Sequence, residues 1–337
     1  MKPTGVIDLH CDTITKIVHT DEKQDWNGIV KDKDRWNSLL NDAYNKNSLD
    51  IEERAFALSR IPENYKWVQC FAVFIPDELR GNYAAQYCET FIKSFYRQIN
   101  LFDDRISACR CFDEIEQALR LKKVAAILTI EGGAALCGDL SRISLLADMG
   151  VKILTLTWNG ENELGSGNKS DKGLTVFGIK AVTELEKNNV IIDASHLNDR
   201  GFYDLCEIAN KPFIASHSNS RSVCKHQRNL TDGQVLEIVK RKGIIGLNFY
   251  LNFLRDDAKP AGFDDIYRHI MRFVELGAQK CLALGSDFDG ADMPKELSKA
   301  EDILRLREYL SSRGINDAAL CDIMFDNAYR FFKDNLR

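Results

Sequence analysis

Eight short runs of mostly apolar, β-branched residues, at 6–10, 68–75, 124–130, 152–157, 190–193, 213–216, 244–248 and 282–286, recur along the chain with helix-patterned stretches between them. A strand that is apolar at consecutive rather than alternate positions is buried on both faces, and strands that alternate with helices form a parallel sheet. Eight such units predict an α/β fold of the (β/α)8, or TIM-barrel, type. The helix signals are explicit in places. Thr231-Asp-Gly-Gln supplies a capping start to a stretch that stops at Lys240-Arg-Lys-Gly243. Residues 263–274 carry apolar side chains at helical spacing before Gly277. Two last helices, from about Glu296 and from Asn316, would complete the outer layer. The competing architecture is an open doubly wound sheet, but no glycine-rich nucleotide loop follows the first run.

A chain of 337 residues is long for one ordinary core, yet barrels run past about 200 residues as one domain. Only 6 prolines occur, with no Ser/Gly-rich linker and no short-period repeat, so residues 1–337 are expected to form a single barrel domain. A formal net charge of −5, with basic and acidic residues interspersed, gives no basic footprint for nucleic acid. No apolar stretch of signal-peptide length opens the sequence, and none approaches the roughly 18 residues of a membrane span. The expectation is a cytoplasmic protein with no membrane partner. The 10 cysteines include no Cys-x-x-Cys pair and read as free thiols.

The ends of the apolar runs carry the chemistry. His10 and Asp12 close the first, Glu131 the third, His196 the fifth, His217 the sixth, and Asp287 and Asp289 follow the eighth. In a (β/α)8 barrel these ends line the active-site face. Packing does not call for an imidazole where a strand stops, and a buried carboxylate is costly unless paired or bound to a cation. His10 and Asp12, two apart on an extended strand end, point the same way toward one cation. Glu131 can bridge two metals through its two oxygens, and the glycines after it permit close backbone approach. Taken singly each residue has a structural reading: a core histidine, a capping Asp, a Glu at a helix N-terminus. Five ligand types on four strand ends, with a further acid at the eighth, form a joint pattern that points to a metal site. Zinc suits such ligation, with manganese and cobalt as alternatives. Asp-Phe-Asp-Gly also opens like a calcium loop, but the later ligand positions are missing. Asp287 and Asp289 share a face on a strand reading. Arg228 reads on its own as a solvated surface charge, His19 and His269 as structural, and His226 is open. The long polar segment 159–173 after the fourth run is expected to lie over the site.

At Asp8-Leu-His-Cys-Asp-Thr13, Glu131-Gly-Gly133, Leu154-Thr-Leu-Thr-Trp-Asn159, Asp193-Ala-Ser-His196, Ser216-His-Ser218, Val223-Cys-Lys-His-Gln-Arg-Asn229 and Gly285-Ser-Asp-Phe-Asp-Gly290 the chain resembles the membrane dipeptidase (renal dipeptidase) family of binuclear zinc peptidases, among the amidohydrolase-like, metallo-dependent hydrolase barrels. The resemblance runs almost end to end. It implies two Zn2+ per chain, one on His10 and Asp12, the other on His196 and His217, with Glu131 bridging both. It further implies that Asp287 handles the proton, that Arg228 holds the substrate carboxylate, and that a hydroxide between the zinc ions hydrolyses dipeptides, often with a D-residue at the C-terminal position. A homodimer is expected on the same ground. One departure stands out: a substrate-contacting histidine of the animal enzymes is replaced by Trp158, whose indole donates one hydrogen bond but neither titrates nor ligates. Two other readings follow from these residues: hydrolysis of a cyclic amide or lactam, and a metal-dependent binding protein without turnover.

Overall fold

Eight parallel strands close into a ring. The computed structural model describes residues 5–16, 18, 25–63, 65–257 and 259–337; His19 lies outside them. Strand β1 (Gly5–Cys11) pairs with β2 (Lys66–Phe74), and β2 with β4 (Val124–Glu131). Then β5 (Val151–Thr155), β6 (Ile191–Asp193), β7 (Ile214–Ala215), β8 (Ile244–Leu247) and β9 (Leu282–Leu284) follow in order, and β9 pairs back onto β1. Each of the eight apolar runs supplies one strand of this (β/α)8 barrel. A ninth strand, β3 (Ile106–Ala108), pairs with the first residues of β4 on the flank that β5, whose pairing begins at Leu128↔Val151, leaves open.

The continuous apolar runs are explained by where their residues go. Ile7, Val68, Ala125, Ile153, Ile191, Ile214, Ile244 and Ala283, one from each barrel strand, join a single buried cluster with Phe325 and Phe332 of the C-terminal helical segment, which is the filling of a barrel. Intervening residues such as Phe71, Ala126, Leu154 and Ile245 belong to the cluster built with the surrounding helices. The helix Asp232–Lys240 begins as its sequence predicts: Thr231 Oγ1 accepts from Gln234 N–H at 3.3 Å while Gln234 Oε1 accepts from Thr231 N–H at 2.8 Å. Of the two last helices, Asn316 caps one that starts at Asp317, while the other starts at Asp302, later than Glu296, which lies in a short 3-10 turn. No helix among the described residues is long and apolar enough to cross a membrane, and all ten cysteines are free.

Register positions the site. Phe74, Glu131, Thr155 and Asp193 are successive partners across β2, β4, β5 and β6, so they form one row at the C-terminal ends of these strands.

His269 is structural, as its helical setting suggests. In the helix Phe263–Glu275 its Nδ1 accepts from Ser220 N–H at 3.1 Å, which leaves Nε2 as donor to Leu254 O at 3.1 Å. Burial pushes its pKa down from 6.5 to about 4, so the folded state stays neutral where the unfolded chain takes up a proton. Its contribution is therefore full above pH 6.5 and is lost as the pH falls toward 4. Urea unfolding at pH 7 and pH 4.5 should show roughly 2–3 kcal/mol less stability at the lower pH in wild type than in His269→Gln; equal pH dependence would contradict this.

Candidate metal centre

The residues expected at strand ends converge. Glu131 ends β4, and His10 precedes the last residue of β1. His196, His217 and Asp287 follow β6, β7 and β9 by two or three residues. His10 Nε2 stands 3.3 Å from Asp12 Oδ2 and 3.6 Å from Glu131 Oε2, so the two-residue spacing does bring His10 and Asp12 together. The other carboxylate oxygen, Glu131 Oε1, lies 2.7 Å from His196 Nε2 and 3.5 Å from His217 Nε2. Each oxygen of Glu131 thus faces a different pair of residues. The side chains of His10, Asp12, Glu131, His196 and His217 are buried.

The backbone is bent to achieve this. His196, Asp287 and Asp289 have φ of 72°, 66° and 66°, a region uncommon for residues with a Cβ and concentrated at functional sites. At Gly290 a Cβ would lie 2.1 Å from Asp12 Oδ2 and 2.7 Å from Asp287 Oδ1, so only glycine lets the chain pass beside these carboxylates. Gly132 and Gly133 serve a different end from the ligand approach expected of them: Gly132 takes φ 104°, and a Cβ at Gly133 would meet Leu156 O at 2.7 Å. They fit the turn against the neighbouring strand.

The donor set fits a cation. His10 Nε2 and Asp12 Oδ1 are buried without a hydrogen-bond partner among the described residues, which in a native core calls for an explanation. His196 Nε2 and His217 Nε2 face each other at 2.8 Å while their Nδ1 atoms contact Asn159 Oδ1 (3.1 Å) and Ser216 Oγ (2.7 Å). With both Nδ1 atoms donating, two bare nitrogens and Glu131 Oε1 share one space with no proton among them, an arrangement suited to a metal. Ligand atoms of His10, Glu131 and His217, and of His10, Asp12 and Asp287, lie within 4.8 Å of one another.

Electrostatics divide the site. Burial works against a charge on His10, but Glu131 and Asp12 override it and hold the imidazole well above its ordinary pKa. Burial, with repulsion from Glu131, lifts Asp12 to about 7. On the other side, burial and the Arg228 charge push His196 down to about 4, and burial with the His10 charge lowers His217 well below its usual value. One half therefore attracts positive charge and the other offers neutral imidazoles.

Asp287 lies beside His10, its Oδ1 4.0 Å from Nε2, and its Oδ2 accepts from Asn248 Nδ2 at 2.9 Å. Burial raises its pKa. Asp289 does not act with it as a strand pair would: its carboxylate accepts from Thr13 Oγ1 (2.6 Å) and Ala55 N–H (2.8 Å), pinning a loop. The strand ends at Leu284, so two-residue alternation does not extend to these aspartates. Arg228 is not the surface charge its sequence context suggests. It is buried, and among the described residues its Nε has no partner and its side chain makes one hydrogen bond, from Nη2 to His217 O at a long 3.4 Å. Burial lowers its pKa to about 10 against the pull of Asp287 and Glu131, so it is a cation at neutral pH. His226 accepts from Arg228 N–H at 3.2 Å and packs on Phe253. A cleft of about 780 Å³ opens over the centre, with Trp158, Phe74, Tyr250, Phe253 and Lys169 in its walls. Trp158 packs edge-on against Phe74 at 4.8 Å and lies 6.3 Å from the His196 ring. Segment 159–173 lies at the site, since Asn159 and Lys169 both line the cleft.

Sequence reasoning assigned no role to Asp8, Asp193, Ser216 and Asn248, although the first three lie in the segments that carry the family resemblance. Asp8 and Asp193 had a signal, an acid inside an apolar run. Asn248 had only its place at the end of β8.

The sequence matches the membrane dipeptidase family (peptidase family M19) over residues 1–336. It is 31% identical over 241 residues to an uncharacterized protein in the pqqA 5′ region of Klebsiella pneumoniae, covering 68% of this chain and 89% of that protein. It is 30% identical over 216 residues to an uncharacterized dipeptidase of Schizosaccharomyces pombe, covering 62% of this chain; the chain spans 53% of that relative's length. Among solved structures, a dipeptidase AC of family M19 superposes with a TM-score of 0.86 at 23% identity over 99% of both chains. A Rhodobacter sphaeroides metallopeptidase, liganded with a phosphinate mimic of the dipeptide L-Ala-D-Ala, does so with 0.86 at 21% over 100% of both. At these identities the two structures show a shared fold.

Proposed function

The chain belongs to the membrane dipeptidase family, peptidase family M19, and from that premise we propose that it is a zinc enzyme that hydrolyses the peptide bond of dipeptides bearing a free C-terminal carboxylate. The observation that carries the substrate class is Arg228: a buried guanidinium with an unpartnered Nε and one long hydrogen bond calls for an anion. A terminal carboxylate matches its fork in a charge-assisted, two-point contact.

His10 and Asp12 would hold one zinc ion, His196 and His217 another, and Glu131 both. When bound, two such ions acidify water to a pKa near 7 and polarise a carbonyl. The remaining steps belong to the chain's own residues. Asp287 Oδ1, left open because Oδ2 is held by Asn248, takes a proton from the attacking water and returns it to the leaving amine. The water oxygen adds to the scissile carbon, the C–N bond breaks, and the amine departs protonated. With the carboxylate fixed at Arg228 one residue from the cut, a chain that continues past the residue after the scissile bond has no place there. Trp158 cannot titrate, so it serves as a wall of the substrate cleft beside His196. The L-Ala-D-Ala mimic on the Rhodobacter sphaeroides protein supports acceptance of a D-residue at the C-terminal position.

The test is hydrolysis by zinc-loaded protein of L,L and L,D dipeptides, each also with an amidated C-terminus. Cleavage confined to free carboxylates is expected, and equal cleavage of amidated or cyclic amides would replace the reading with a general amidohydrolase. Arg228→Ala should raise KM about 10- to 100-fold, the loss of a charged hydrogen-bond pair of about 1.5–3 kcal/mol, with a much smaller effect on kcat. An unchanged KM removes Arg228 from the site.

A further inference from the structure

We propose that Asp193 is a positioning residue of the metal centre, acting through the Ser216 hydroxyl to decide which nitrogen of His217 is bare. The proposal rests on the reading of His217 as a ligand and goes beyond it to the cause of its tautomer.

Asp193 is the last residue of β6 and is buried. Its Oδ1 accepts from Ser195 N–H and Ser216 N–H, each at 2.9 Å, and its Oδ2 accepts from Thr155 Oγ1 and Ser216 Oγ, each at 2.6 Å. Ser216 Oγ is also 2.7 Å from His217 Nδ1. One hydroxyl proton cannot serve both neighbours. A carboxylate is a stronger acceptor than a neutral imidazole, by roughly a factor of two in hydrogen-bond strength, so the proton goes to Asp193. His217 Nδ1 must then carry its own proton and donate it to Ser216 Oγ, which leaves Nε2 bare where it faces Glu131 Oε1 and His196 Nε2. The carboxylate thus reaches a ligand it never touches, with a serine between.

A second aspartate, in the middle of a strand, shows that the bracket and the relay are separable. Asp8 on β1 grips Ser286 in the same way, accepting from its N–H at 2.8 Å and its hydroxyl at 2.6 Å, just before Asp287. There the serine Oγ otherwise meets the His10 carbonyl and the Phe288 N–H, each at 3.1 Å, and neither has a tautomer to set. Both brackets hold backbone; only that of Asp193 continues to a ring nitrogen.

The experiment measures zinc affinity by chelator competition in wild type, Ser216→Thr, Ser216→Ala and Asp193→Asn, together with the histidine 15N spectrum of the metal-free protein. Ser216→Thr keeps the hydroxyl and should bind like wild type. Ser216→Ala should bind zinc about 10- to 100-fold more weakly. In Asp193→Asn the amide can donate to Ser216 Oγ, whose proton then turns to Nδ1; Nε2 becomes the protonated nitrogen, and affinity should fall further than in Ser216→Ala. The spectrum should place the His217 proton on Nδ1 in wild type and on Nε2 in Asp193→Asn. A wild-type proton on Nε2, or unchanged zinc affinity in both Ser216→Ala and Asp193→Asn, would overturn the relay. The wild-type spectrum needs no substitution, so a variant that does not fold leaves the proposal open to refutation. If His217→Ala holds zinc unchanged, the ligand reading beneath the relay fails instead.

Discussion

Glu131→Gln should strip the protein of at least one metal ion per chain and reduce kcat/KM to near background. The carboxylate is buried, with Oε2 toward His10 and Oε1 toward His196 and His217. Glutamine keeps the volume but places an N–H donor toward one of the two sides, where bare nitrogens or a cation would face it, and removes the charge that balances both. Breaking a buried charge pair by changing one partner costs about 3–5 kcal/mol, which corresponds to roughly 10²- to 10⁴-fold in affinity for the ion it helps to hold. Metal content after dialysis, alongside dipeptide turnover, checks this. Full metal content with full rate would remove Glu131 from the bridging role.

Asp287→Asn should lower kcat by about 10²- to 10⁴-fold, the usual range for loss of a positioned proton carrier, with the metals still bound and KM little changed. The substitution is nearly isosteric. The amide can turn its oxygen toward Asn248 Nδ2, which already donates to Oδ2 at 2.9 Å, so the local packing survives and only the proton-accepting oxygen is lost. The geometry also sets up the opposing result, because Asp287 lies within ligand distance of His10 and Asp12. Loss of zinc from this variant, with kcat restored by excess metal, would make Asp287 a ligand rather than the proton carrier.

The barrel was legible because a parallel strand covered on both faces shows as an unbroken apolar run, and all eight runs became strands. Strand β3 was not, since Ile106-Ser-Ala has only three residues and one flank to cover. In the candidate site, His10, Asp12, Glu131, His196 and His217 stood out as polar residues where apolar runs stop, and the fold brings them together. The role of Asp193 depends on the alignment of β5, β6 and β7, which lets one carboxylate collect donors from Thr155, Ser195 and Ser216; no local pattern announces that alignment. Arg228 misled for a related reason: the polar stretch around it resembles surface, yet the hydrogen bonds of Asn229 and Arg221 fold that stretch against the barrel mouth. Asp289 misled because strand alternation was extended past a strand that had already ended.

We propose that five residues on four strand ends hold two metal ions with Glu131 between them. Diffraction from zinc-loaded crystals at the zinc absorption edge tests it directly. Two anomalous peaks per chain, one beside His10 and Asp12 and the other beside His196 and His217, each next to one oxygen of Glu131, are the predicted result. A single peak, or zinc bound away from Glu131, would contradict it.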